Sequence, residues 1–158
     1  MSYSRENPCT ANAKEIYKYF KNHGWSNNAI YALLGNIQYE SDGIIPTRGE
    51  YGGGGYGLVQ WTPKSKLTNW AGAQKPPLDA AKLSTQCTRI QYECANEAQW
   101  TKKKAYNNMT FKQFSKSTER VEDLTKAFLV CYENPKDPSA SQSDRIEYAN
   151  DWKEYFED

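Results

Sequence analysis

Four consecutive glycines, Gly52–Gly55, sit in an irregular segment from Asp42 to Tyr56, with helical apolar periodicity on both sides. Ordering glycine costs more conformational entropy than ordering any other residue, so such a run is either a flexible linker or a place where something needs bare backbone. Tyr51 and Tyr56 border it, and Leu58, Val59 and Trp61 come at once after it. At 158 residues the chain has the length of one ordinary domain and enough residues for a true core. A long excursion without regular structure inside such a domain usually carries function.

On either side the sequence reads as helix. Ala13 to Asn22 forms a first helix closed by His23 and Gly24, and Ser26 can cap a second whose buried stripe is Ile30, Leu33, Leu34 and Ile37. That pattern stops after Ser41. A short hairpin ending in Leu58-Val59-Gln60-Trp61 is one arrangement of the glycine-rich segment. Thr62 and Pro63 are a favourable opening for a third helix to about Ala73, and Asp79 can cap a fourth reaching about Asn96. A short helix near Phe111 to Ser115 comes next, then Val121, Leu124, Phe128 and Cys131 on one apolar face. Asn134 to Ser143 reads as a loop and Asp144 to Phe156 as a closing amphipathic helix. The expectation is a single, mainly α domain spanning residues 1–158, with no internal repeat.

Composition narrows the function classes. The net charge of +1 gives no strong attraction for nucleic acid or membrane surfaces, and the basic Lys102-Lys103-Lys104 run reads as a solvated stretch. No segment approaches the roughly 18 apolar residues of a membrane span, and Met1 to Thr10 carries no apolar signal sequence. Aromatic residues make up 14% of the chain, with 12 Tyr and 5 Trp, a surplus that suits stacking surfaces as well as cores.

The 4 cysteines could form two disulfides or serve as small core thiols. Ala80, Leu83, Cys87, Ile90 and Cys94 recur at helical spacing, which sets Cys87 and Cys94 about 10 Å apart on one face. That is too far for a mutual bond, so any bridge must reach Cys9 or Cys131. The cysteines are not closely paired and His23 is the single histidine, so no zinc site is expected. His23 itself, just before Gly24, reads as a C-terminal cap.

Glu40 is the informative placement. At 100° per residue it projects only roughly 20° from Leu33, at the rim of the apolar stripe. A carboxyl group half-buried there would hold its proton near neutral pH; alternatively it bends out to water or pairs with a basic side chain such as Arg48. Asp42 and Glu50 are nearby carboxylates. Glycosidases place two acidic groups around the scissile bond, and Glu50 could swing opposite Glu40 or simply be solvated. Gly52, Gly54 and Gly57 satisfy G-x-G-x-x-G, but no apolar strand precedes them and no helix opens at the last glycine, so a dinucleotide site is excluded. A P-loop fails for want of the Gly-Lys-Ser/Thr ending.

The run Asn36 to Ser41 (NIQYES), a glycine-containing loop, and then Gly55 to Pro63 (GYGLVQWTP) resembles the signature of the lysozyme-like superfamily, shared by goose-type lysozymes and lytic transglycosylases. The likeness is strongest to the phage tail lysozymes, cell-wall-degrading domains at phage tail tips. Their Gly-Leu-Val-Gln-Trp-Thr-Pro stretch is present whole. Phe128-Leu129 through Tyr132-Glu133-Asn134-Pro135 resembles their Phe-Leu…Tyr-Glu-Arg-Pro segment, with Asn134 where arginine is usual.

The resemblance implies an α+β lysozyme-like, mainly α fold in which a glycine-rich loop or short hairpin lines a glycan cleft. It implies that Glu40 is the catalytic acid, that Ser41 stands beside it, that Gln60 lines the cleft and that Tyr132 faces the glutamate. Glu50 is carried as the candidate second carboxylate. Tyr56 and Trp61 are candidates for stacking on sugar rings, or else for core packing. Bare glycines would let the main chain approach a broad polar glycan closely. The implied substrate is bacterial peptidoglycan, cut between N-acetylmuramic acid and N-acetylglucosamine either by water or by the sugar's own 6-hydroxyl. A glycan-binding module without catalysis is the rival reading. No cofactor or metal is expected, the implied site of action is extracellular or virion-associated, and the implied companions are other phage tail or lysin domains.

Overall fold

The computed structural model describes residues 8–49 and 54–158. Its organising element is the second helix, α2 (Asn27–Ser41), which comes after α1 (Pro8–Asn22). Ser26 starts α2 as expected: its side chain accepts a hydrogen bond from the Ala29 N–H, satisfying one of the orphan donors at a helix start. Its hydroxyl also donates to the Ser117 carbonyl, 2.6 Å away, so the cap ties the helix to the far half of the chain.

Ile30, Leu33, Leu34 and Ile37 are fully buried, but so are Ala29, Ala32, Gly35 and Asn36 between them. Burial on all sides results from the neighbours. α2 packs against α1, α5 (Phe111–Lys116), α6 (Val121–Phe128) and α7 (Ser139–Glu157). Small residues make this possible. A Cβ on Gly35 would lie 2.5 Å from the Arg145 carbonyl oxygen and 2.7 Å from the Ala149 Cβ, so the glycine is what lets α7 lie this close. Asn36 survives burial because its amide nitrogen donates to the Ala32 and Thr125 carbonyls and its oxygen accepts from Arg145. Each of the four large aliphatic side chains contributes on the order of 1.5–3 kcal/mol by leaving water.

The remaining α-helices are α3 (Ser65–Ala73) and α4 (Leu83–Asn96). An aromatic cluster joins α5 and α6: Trp100 stacks on Phe111 at 4.8 Å and Phe128 on Tyr132 at 4.5 Å. Cys9, Cys87, Cys94 and Cys131 are all buried thiols, with Cys87 and Cys94 on the inner face of α4 as their spacing predicts. His23 closes α1: its Nδ1–H donates to the Tyr19 carbonyl at 2.8 Å, and Gly24 comes next with φ +82°.

Several boundaries differ from the sequence reading, each for a local reason. Thr62 does not cap α3, because its hydroxyl donates to the Gln60 carbonyl; the helix begins at Ser65. Asp79 instead accepts from the Ala81 N–H in a turn ahead of α4. α7 starts at Ser139, where Asp137 receives the Ser139 hydroxyl and Pro138 already has right-handed helical angles. α6 does not simply end. It passes into a π-helical turn, Leu129–Glu133, in which the Asn134 N–H reaches the Leu129 carbonyl five residues back. A 3-10 turn at Lys104–Tyr106 has no counterpart in the sequence reading.

The expected hairpin is reduced to two isolated antiparallel bridges among the described residues, Gly49 with Tyr56 and Tyr56 with Trp61. The loop is held instead by α4. Gln86 is fully buried, accepts from the Leu58 N–H, and donates to the carbonyls of Pro46 and Ala80. Gly57 accommodates this clamp: φ is +88°, and a Cβ there would lie 2.8 Å from the Gln86 side-chain oxygen.

Candidate active site

Three segments converge on one groove. The last turn of α2 supplies Tyr39 and Glu40, the loop supplies Gln60 and Thr62, and the end of the π turn with the adjoining Pro135 supplies Glu133 and that proline around a cavity of about 310 Å³. A smaller cavity of about 140 Å³ shares Gln60, Thr62 and Glu133 with it and extends past Lys66, Gln99 and Tyr132.

Glu40 stands at the rim, with 18% of its side chain exposed. Its basic partner is Arg145 of α7, not Arg48. Arg48 instead donates to the carbonyls of Ser41 and Asp42, tying the loop to the end of α2. Arg145 is 2% exposed and fully engaged: Nε donates to Ser141, one terminal nitrogen to Asn36 at 2.9 Å and the other to Glu40, while its plane lies 4.3 Å from the Tyr39 ring centroid. A buried guanidinium left unpaired would be very costly, so this geometry fixes the Glu40 carboxylate as well as using it. Tyr39, missed by the sequence reading, presents a 40% exposed ring to the groove.

The other candidates distribute unevenly. Gln60 lines both cavities in a left-handed conformation, φ +55°, and its amide nitrogen is committed to the carbonyls of Arg48 and Gly57. What it can offer a ligand is therefore its oxygen. Ser41 is fully buried; its hydroxyl donates to the Ile37 carbonyl and accepts from the Ile45 N–H, so it shapes the loop exit and does not reach the groove. Trp61 is 2% exposed and its indole N–H donates to Glu93, so it packs in the core, the alternative its sequence leaves open, while bordering the smaller cavity. Tyr56 is partly exposed, but the Lys64 ammonium covers its ring at 4.2 Å and it does not border the cavities. Tyr132 is 4% exposed and its hydroxyl donates to Glu93 at 2.5 Å, so that hydroxyl serves a buried carboxylate and not Glu40. Glu50 lies outside the described residues.

Two further carboxyl groups lie under the groove. Glu93 of α4 is fully buried and gathers Tyr132, Trp61 and Arg89 around it. Burial pushes its pKa up to about 7, against the opposing pull of Tyr132, Arg89 and Trp61. Its place was legible in the sequence, three residues after Ile90 on the buried stripe. Glu133 was not. On α-helical spacing it falls about 200° from Cys131, away from the core, and only the π turn swings it into the groove. Glu133 is partly buried as a residue, yet its Oε1 is sealed from solvent and meets no hydrogen-bond partner among the described residues. Burial drives its carboxyl well above the usual range, and repulsion from Glu40 and Glu93 adds to this while Arg145 opposes it. Among the described residues no group of His, Cys, Asp and Glu is arranged to hold a metal ion.

Morphogenesis protein 1 of Bacillus phage B103 is 40% identical over 147 residues, which is 90% of this chain and 38% of that protein. The chain thus spans well under half the length of that relative. The sequence profile of the phage tail lysozymes matches residues 11–156, a span that takes in the helix whose last turn carries Glu40, the clamped loop and the π turn with Glu133. By that match, over nearly its whole length, the chain belongs to the phage tail lysozyme family.

Proposed function

We propose that the chain is a peptidoglycan hydrolase, a muramidase that cleaves the β-1,4 bond between N-acetylmuramic acid and N-acetylglucosamine. The observation that carries this reading is the meeting of two carboxyl groups, Glu40 and Glu133, on one groove under contrasting conditions: one paired with Arg145, the other with one oxygen sealed and without a hydrogen-bond partner among the described residues. Glycosidic bonds break when one carboxyl group protonates the leaving oxygen while another stabilises or supplies the attacking partner. Residues 1–158 are read as one catalytic domain. The exposed Tyr39 ring and the Gln60 oxygen are the groups that would orient a saccharide. Glu50 remains a proposed contributor from the loop, and Tyr56 one at its border.

Phage family membership and the similarity to a phage morphogenesis protein support a virion-associated enzyme that acts on the bacterial wall from outside, alongside other domains of a longer tail protein. The test is mass spectrometry of the fragments released from purified walls. Reducing ends that have gained water support the muramidase. 1,6-Anhydro ends would make the chain a lytic transglycosylase, and bound but uncut walls would make it a binding module.

A further inference from the structure

We propose that Glu40 and Glu133 work as one proton-sharing pair, balanced by Arg145, with Glu133 the member that keeps the proton in the resting site. This rests on the glycan-cleaving reading above and assigns the resting proton within its two carboxyl groups.

The placement argues for the pair. Both side chains line the same cavity, one from the end of α2 and one from the π turn. Among the described residues the charged groups facing Glu133 are Glu40 from α2, Arg145 from α7 and Glu93 from α4, with Lys66 of α3 on the smaller cavity but donating to Gln99, and Glu93 already has Arg89, Tyr132 and Trp61. One guanidinium is thus left for two carboxyl groups, and it is engaged with Glu40. Two carboxylates with a single counter-charge in a poorly solvated site cannot both ionise cheaply, so one proton stays with the pair. The sealed, unpartnered Oε1 of Glu133 is where a neutral carboxyl group costs least. Burial and like-charge repulsion act on Glu133 in the same direction.

In the reaction the pair's proton passes to the glycosidic oxygen as the C1–O bond breaks and the bonding electrons go to that oxygen. A water molecule then bonds to C1 and returns one proton to the pair, while its hydroxyl completes the new reducing end. Atoms balance with water as the single co-substrate. The π turn thereby acquires a purpose, since α-helical continuation would carry Glu133 away from Glu40.

The test compares wild type, Glu133→Gln, Glu133→Asp and Glu40→Gln on purified walls across pH. The pair predicts that Glu133→Gln lowers kcat at pH 7 by roughly 10²-fold or more while wall affinity holds. It also predicts a changed pH profile for Glu133→Gln, and that Glu133→Asp recovers part of the rate. Infrared difference spectra at pH 7 should show a protonated-carboxyl band that Glu133→Gln removes. A Glu133→Gln enzyme with wild-type kcat and pH profile, or no such band lost, overturns the pair. If Glu40→Gln is inactive while Glu133→Gln matches wild type, only the pair fails; if Glu40→Gln still cleaves walls, the glycan-cleaving assignment of the groove fails with it.

Discussion

Replacing Gly35 with alanine should destabilise the protein even though alanine is the better helix former. In an exposed helix interior the change would gain about 1 kcal/mol. Here the new Cβ would meet the Arg145 carbonyl oxygen at 2.5 Å, the Ala149 Cβ at 2.7 Å and the Ala149 nitrogen at 2.8 Å. Carbon contacts are favourable only from about 3.5 Å, so α7 must withdraw by about 1 Å. Two of the three obstacles are backbone atoms, which cannot rotate aside. Overpacking of this kind costs about 1–3 kcal/mol. Withdrawal also stretches the Arg145 bonds to Asn36 and Glu40, and charged hydrogen bonds are worth about 1.5–3 kcal/mol each. The net expectation is a loss of about 2–3 kcal/mol. For a chain of this size that lowers Tm by roughly 4–12 °C. Thermal unfolding followed by circular dichroism measures it, and wall-clearing activity at a temperature where the variant is still folded should fall as well, because Arg145 moves with α7. A variant as stable as wild type, or more so, would refute the claim that Gly35 sets the α2–α7 approach.

Glu93 makes stability pH-dependent with a definite sign. Its pKa is raised from 4.5 to about 7 in the folded protein, so the protonated form's stability is fully present below about pH 4.5 and lost as pH rises through about 7. The change is on the order of 3 kcal/mol across that window. The urea midpoint of wild type should fall relative to that of Glu93→Gln between pH 5 and pH 8, and a constant difference would contradict this. Gln86→Leu strands the Leu58 N–H and the carbonyls of Pro46 and Ala80, which should cost about 3 kcal/mol and open the loop to proteolysis before the helices; unchanged cleavage kinetics would count against the clamp. Tyr39→Ala removes the exposed ring on the groove and should weaken wall binding by about 0.5–1.5 kcal/mol, roughly 2- to 12-fold, in pull-down titrations. Unaltered binding would remove Tyr39 from the saccharide path.

What the sequence discloses divides along physical lines. Local signals were reliable: Ser26 as cap, the closure of α1 at His23 and Gly24, and the buried faces of α2 and α4 depend on neighbours within a turn or two. The same holds for the position of Glu40 at the rim of the α2 stripe, which needs only helical geometry. Its partner could not be read in that way, because Arg145 is separated from it by 105 residues and reaches it only through the close approach at Gly35. Adjacency to Glu40 says nothing about direction for Ser41, whose side chain turns inward to bonds of its own, and Trp61 takes the core packing that its sequence leaves open. Glu133 was invisible because its direction depends on a π turn, and α-helical periodicity assigns it the opposite face. Helical spacing puts Gln86, three residues after Leu83, on the buried stripe of α4 just as it does Glu93, but says nothing of the loop groups it binds.

The central claim is that a carboxyl group at the end of α2 cuts glycan strands laid in the groove beside it. Glu40→Gln tests this most directly, since glutamine keeps an oxygen for Arg145 but neither carries the charge nor exchanges a proton as a carboxyl group does. The expected result is a folded variant that still sediments with purified cell walls but no longer clears their turbidity, a loss of at least about 10²-fold. Clearing at the wild-type rate would contradict the account.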